Sequence, residues 1–148
     1  MNKVLIKERR NSHLAYDEIY FWTCTIKNWY CLLQFDDYKY LIINSLKKLV
    51  DKKLIDVYGF VIMPNHIHLI LRLNEPNGKE KPSSSFLKET AHLIKKDLLL
   101  HHQDVLTKLL VNEVDRSYRI WQRDSLAVEL FNEKILEQKL NYIHHNPL

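Results

Sequence analysis

Glycine is nearly missing from this chain, with 2 residues in 148. A loop that cradles phosphates needs glycines for its tight turn and for close approach of backbone N–H groups, and neither a G-x-G-x-x-G nor a Walker pattern occurs. No nucleotide cofactor is therefore expected. Cysteine is equally scarce. Cys24 and Cys31 are too few for a disulfide framework, and their spacing fits no common zinc pair, so both read as reduced thiols of a cytoplasmic protein. No apolar run approaches the roughly 20 residues of a membrane span. The opening "MNKVLIKERRNSHLAYDE" has neither the long apolar core nor the cleavage site of a secretory signal. Internal repeats and low-complexity tracts are missing as well. What remains is an ordinary globular composition, 46 % hydrophobic and 27 % charged, with a length that suits one domain over residues 1–148 and a real hydrophobic core.

The formal charge of +4 is mild. Nucleic-acid binding rewards local clusters of cations rather than totals, because each neutralised phosphate releases counterions. Such clusters exist at "KERR" (Lys7, Arg9 and Arg10 with Glu8 between), at Lys47–Lys48, at Lys52–Lys53 and at Lys95–Lys96. Solvated helix faces also use lysine freely, so these are only candidate phosphate contacts.

Periodicity divides the chain into alternating elements. "IYFWTCTIKN" (Ile19 to Asn28) is aromatic and β-branched and reads as a strand. In "DDYKYLIINSLKKLVDKK", Tyr38, Leu41, Ile42, Leu46 and Leu49 recur at helical spacing, with Asp36 or Asp37 able to cap the start. "IDVYGFVIM" and "HIHLILRL" are strand-like and flank Pro64-Asn65, a turn pair that predicts an antiparallel hairpin. After the loop-like "NEPNGKEKPSSS", Leu87, Ala91, Ile94 and Leu98 predict a helix, with Ser83, Ser84 or Ser85 as N-cap. "QDVLTKLLVNEVD" is less readable, and "SYRIWQRDSLAVELF" reads mostly as strand. A last helix runs through "NEKILEQKLNYIHH" and should stop at the Asn146-Pro147 step. The order β-α-β-β-α-β, followed by a helix, predicts an α+β, ferredoxin-like split βαβ fold. Its four-stranded antiparallel sheet would carry two helices on one face, and the C-terminal helix could cross the other.

The informative stretch is "MPNHIHLIL" (Met63 to Leu71). Strand side chains alternate, so Ile67, Leu69, Leu71 and Leu73 should pack on the helices while His66, His68, Ile70 and Arg72 share the open face. Two neutral imidazoles aimed the same way can chelate a divalent metal. They can also be half-buried structural histidines: with 8 histidines in the chain, roughly 0.4 H-x-H matches arise by chance. On the last helix, Leu136, Leu140 and Ile143 form an apolar stripe suited to docking. Tyr142 lies about 120° from that stripe, near Gln138, Lys139 and Asn146, where it is either a packing tyrosine or a polar group presented at the docked margin. Asn146, one turn on, carries a carboxamide oxygen acceptable to Mg²⁺ or Mn²⁺.

Taken together, "GFVIMPNHIHLIL" and "IWQRDSLAVEL" with "EQKLNYIHHNPL" resemble the REP-associated tyrosine transposases and their insertion-sequence relatives, the single-tyrosine HUH nucleases, over nearly the whole chain. The resemblance implies that His66 and His68 are the metal-binding HUH pair, with Ile67 between them as the hydrophobic member. It implies Tyr142 as nucleophile and Asn146 as third metal ligand, with His145 the competitor for that last role. Asn65 would support the loop or the site, and Trp121-Gln122 matches a family "WQ" pair, structural or DNA-contacting. The implied activity is cleavage and rejoining of single-stranded DNA at hairpin or repeat ends through a 5′-phosphotyrosine intermediate, in a homodimer, with Mg²⁺ or Mn²⁺ as cofactor. Imidazole ligands on their own would suit Zn²⁺ or Mn²⁺ better than Mg²⁺. Free tyrosine titrates near pH 10, so its deprotonation needs help, for which a metal and Lys139 are the candidates. Lys7, Arg9, Arg10, Lys47 and Lys48 would track phosphates, while Tyr16, Tyr20, Trp22 and Trp29 are possible base-stacking groups. Family members commonly continue past the Asn-Pro step, whereas here one residue follows Pro147. The alternative is a catalytically silent nucleic-acid-binding protein on the same fold, derived from a transposase. Against it, the open face carries histidines where RNA-recognition modules show aromatics.

Overall fold

The computed structural model describes residues 13–109 and 119–145. Strand β1 (Ile19–Thr25) is followed by helix α1 (Asp36–Asp51), the hairpin β2 (Ile55–Ile62) and β3 (His66–Leu73), helix α2 (Pro82–His101), the short α3 (Gln103–Lys108), strand β4 (Leu126–Glu129) and helix α4 (Glu133–His145). The sheet order is β2-β3-β1-β4, with every neighbouring pair antiparallel. This is the ferredoxin-like split βαβ arrangement that the element order predicts.

The strand alternation sorts the core into two layers. Ile67, Leu69, Leu71 and Leu73 of β3, with Tyr20, Trp22 and Cys24 of β1, face α1 and α2 and meet Ile42, Leu46, Phe86, Ile94 and Leu98. Phe21, Val61 and Ile70 point the other way and are covered by Leu136, Leu140 and Ile143 of α4. The apolar stripe on the last helix is therefore what holds it on the sheet. A bulge assists: β2 shifts register between Val57 and Gly59, which turns Gly59 toward α4. A Cβ at Gly59 would stand 3.3 Å from Leu140 Cδ2, so glycine lets the helix lie close.

Helix starts differ from expectation in detail. The N-cap of α1 is Phe35, and Asp36 and Asp37 occupy the first turn, where carboxylates still favour the helix dipole. At α2 the cap is Lys81 and Pro82 takes the first position, since a proline lacks the N–H that would go unpaired there. Ser83–Ser85 thus lie inside the helix, with Ser85 Oγ donating to Glu80 and accepting from Asn77. Of the stretch read as strand from Ser117 to Phe131, the described residues form a strand at Leu126–Glu129. Upstream, Ile120 O accepts from Lys27 N and Gln122 N donates to Thr25 O, so the chain does pair with the extension of β1. It then leaves the ladder where Asp124 adopts φ 59°, a left-handed conformation that Asp tolerates. Cys24 is buried and Cys31 exposed, both as free thiols, and burial pushes the Cys24 thiol up.

Candidate active site

Two strand positions and one helix position supply the site. The tight turn at Pro64-Asn65, closed by Met63 N donating to His66 O at 2.8 Å, begins β3 at His66 itself. Alternation then throws His66 and His68 to the α4 side, with ring centroids 4.7 Å apart. α4 begins at an N-cap in which Asn132 Oδ1 accepts from Ile135 N, 2.9 Å. With its stripe docked, the helix delivers Tyr142 beside the strand: the phenol and His68 rings lie 5.7 Å apart, edge to face. Tyr142 remains 48 % exposed while His68 is only 8 % exposed, so the pair has a dry wall and an open front.

Each imidazole is held from behind. His66 Nδ1 donates to Asn65 Oδ1 at 2.7 Å, which leaves the lone pair on Nε2. His68 Nδ1 lies 2.8 Å from Thr23 Oγ1, the residue directly opposite it on β1, and donation to that hydroxyl leaves its Nε2 equally available. Phe21, two residues before Thr23, stacks on the His68 ring at 4.9 Å. Burial first, then the positive charges that His66 and Lys139 present, push His68 down to about 4, and burial also lowers His66. Both rings are thus neutral at pH 7. A neutral imidazole pair with its Nδ1 atoms engaged and its Nε2 atoms available fits a divalent cation. Among the described residues there is no group of three or more His, Cys, Asp or Glu that would hold one alone. Asn146 lies outside the described residues, and His145 Nδ1 donates to Asn141 O within its own helix, 2.8 Å.

The chain shares its fold with a transposase. A REP-associated tyrosine transposase, solved bound to a REP hairpin, matches with a TM-score of 0.61 at 19 % identity, over 91 % of this chain and 69 % of that one. No protein-family model and no curated protein sequence matches. At that identity the likeness to the transposase is one of fold.

Other residues singled out by sequence fall in different places. Lys7, Arg9 and Arg10 lie outside the described residues. Lys47 and Lys48 are on α1, across the sheet from the imidazoles, and Lys48 pairs with Glu89 at 2.8 Å. Of the four aromatics read as possible base-stacking groups, Tyr20 and Trp22 are core residues and Tyr16 is half-buried, which leaves Trp29. Trp121 is buried, its indole N–H donating to Thr90 Oγ1 at 2.9 Å, while Gln122 accepts from Asn28 N at 3.3 Å. Lys139 stands over Phe21, 4.8 Å from the ring centre. Thr23 and Phe21 are site neighbours that sequence reading missed. Their signal was available in the alternation of β1, but it acquires meaning only once β1 is known to lie beside β3. A cleft of about 540 Å³ between α2 and residues 119–125 is lined by Lys88, Lys95, Arg119 and Arg123 but contains none of His66, His68 or Tyr142.

Among the described residues no helix is long and apolar enough to cross a membrane.

Proposed function

We propose that this protein is a metal-dependent single-stranded DNA endonuclease and strand transferase of the single-tyrosine HUH type. One observation carries the reading: the Tyr142 phenol, from an element more than sixty residues away in the chain, meets His68 at a ring-centroid distance of 5.7 Å, and His68 lies 4.7 Å from His66. The transposase fold and the "MPNHIH" and "YIHHNP" segments support it.

In this reading His66 and His68 would hold Mg²⁺ or Mn²⁺ through their Nε2 atoms, with Asn146 proposed as third ligand. When bound, such a cation polarises a phosphodiester and stabilises the charge that develops on it. The chain's own residues do the rest. Thr23 and Asn65 fix ring orientation. Tyr142 Oη attacks phosphorus, a P–O bond to tyrosine forms, and the bond to the 3′ oxygen breaks. The phenol gives up its proton to water as it attacks, the 3′ oxygen takes one up from water and leaves as a hydroxyl, and the DNA stays attached as a 5′-phosphotyrosine. A 3′-hydroxyl can reverse the step at a new junction, so bond energy is conserved without a nucleotide. The half-exposed position of Tyr142 leaves room for a strand to reach it. Lys139, one turn before Tyr142, holds a positive charge over Phe21 at the margin of the site, where it can face a DNA phosphate. A homodimer is part of the proposal.

The test is incubation of the full chain with single-stranded hairpin DNA and Mn²⁺, followed by a denaturing gel. A covalent protein–DNA adduct is expected, absent for Tyr142→Phe and for His66→Ala with His68→Ala. An adduct that survives Tyr142→Phe removes the nucleophile assignment.

A further inference from the structure

Between β1 and α1 the backbone does something expensive. Asn28 takes φ 56°, ψ 24°, and Trp29 directly after it takes φ 57°. Asparagine tolerates the left-handed region, but a bulky aromatic there is an outlier, and such outliers persist only where the surroundings enforce them. The surroundings do so here. Trp29 N donates to Ile26 O, Ile26 N donates to Asn65 O, Lys27 N donates to Ile120 O, and Asn28 N donates to Gln122 Oε1. This clamped turn presents the Trp29 indole to solvent at 61 % exposure, whereas Trp22 and Trp121 are 1 % and 5 % exposed. A protein that buries two tryptophans has no packing reason to strain its backbone in order to expose the third.

The turn is also wired to the site. Asn65, whose carbonyl holds Ile26, is the residue whose side chain holds His66. Thr25 sits opposite His66 in the sheet, and four residues of chain reach at most about 14 Å beyond it. At about 3.4 Å per stacked nucleotide, that is a span of a few bases. The neighbourhood suits a polyanion with flat bases: Lys27 precedes the turn, Lys108 lies over the Tyr30 ring at 5.6 Å, and half-exposed Phe35 follows.

We infer that Trp29 is the base-stacking platform that seats an unpaired nucleotide of the DNA strand a few bases from the phosphate bound at the His66–His68 pair. The inference deepens the proposed function and rests on it. Stacking is sequence-tolerant, so Trp29 sets the position of an unpaired base rather than its identity.

Because Trp29 is the one exposed tryptophan of three, intrinsic fluorescence reads it directly. A mixed-sequence single-stranded oligonucleotide is titrated into the full chain with EDTA present, so that no cleavage intervenes. Quenched emission and reduced acrylamide access are expected, and the matching duplex should produce much less of either. Trp29→Ala should weaken binding by about 5- to 150-fold, the range for loss of one stacked base, while Trp29→Phe keeps most of the affinity. Trp29→Gly removes the strained side chain, so its melting temperature should equal or exceed that of the parent while its DNA binding falls as for alanine. That opposed pair of changes separates stacking from a role in folding. Unchanged affinity in the alanine and glycine variants, or binding that leaves the emission and acrylamide access of Trp29 untouched, overturns the platform and leaves the strand-transfer reading standing. A parent protein that binds no single-stranded DNA overturns both.

Discussion

His68 concentrates the residue-scale physics. A buried imidazole loses hydration, so its charged form is disfavoured, and it titrates at about 4 rather than near 6.5 as in an unfolded chain. Between those values the unfolded state binds the extra proton, so metal-free protein should lose stability as pH falls from 7 toward 4, by roughly 2–3 kcal/mol from this group. Thermal melts across that range should show the loss, and His68→Gln should flatten it. Thr23 is the complementary test. Removing its hydroxyl leaves His68 Nδ1 without its partner at the cost of about 1 kcal/mol of stability. Mn²⁺ affinity should fall about 10- to 100-fold in Thr23→Ala, the range for losing a group that orients a metal-binding histidine. Calorimetric titration of the variant checks this, and unchanged affinity would separate Thr23 from the site.

α4 is the element on which the arrangement turns. It docks through Leu136, Leu140 and Ile143, and Leu140 and Ile143 lie close over Gly59. A single methyl there would crowd only the flexible end of Leu140, with Ile143 at ordinary contact distance, so Gly59→Ala should be close to neutral. Branched Gly59→Val adds carbons with nowhere to go and should cost about 1–3 kcal/mol, as overpacked sites do. Because the same contact sets where Tyr142 stands, the valine variant should also lose adduct yield more steeply than its stability loss accounts for. Chemical denaturation and the denaturing gel, run on the same preparations, separate the two effects. Equal adduct yield in parent and valine variants would show that α4 placement does not govern the chemistry.

At the scale of the whole molecule, the link between α2 and the returning chain before β4 is polar and buried. Trp121 donates its indole N–H to Thr90, whose hydroxyl donates in turn to Phe86 O. Thr90→Val keeps the shape but strands that N–H away from water, and should destabilise the fold by about 1–3 kcal/mol. Equilibrium unfolding measures it. A neutral result would mean that Trp121 finds another acceptor.

Local pattern was enough for the order of the main elements, though not for the short α3, and for the Pro64-Asn65 hairpin, the two faces of β3 and the docking stripe of α4, because each is a periodicity that a few neighbouring residues determine. It was not enough for helix starts, where Phe35 and Lys81 cap without the polar side chains that mark a start, nor for the break at Asp124, which depends on what the strand pairs with. The same limit holds at the site. His66 and His68 share a face by alternation alone. That Tyr142 lies beside them, that Thr23 and Phe21 back them, and that Trp22 is buried while Trp29 is exposed were decided by which strands are neighbours and how closely a helix can approach a glycine. Those are contacts between residues far apart in the chain, and sequence spacing holds no information about them until the core has closed.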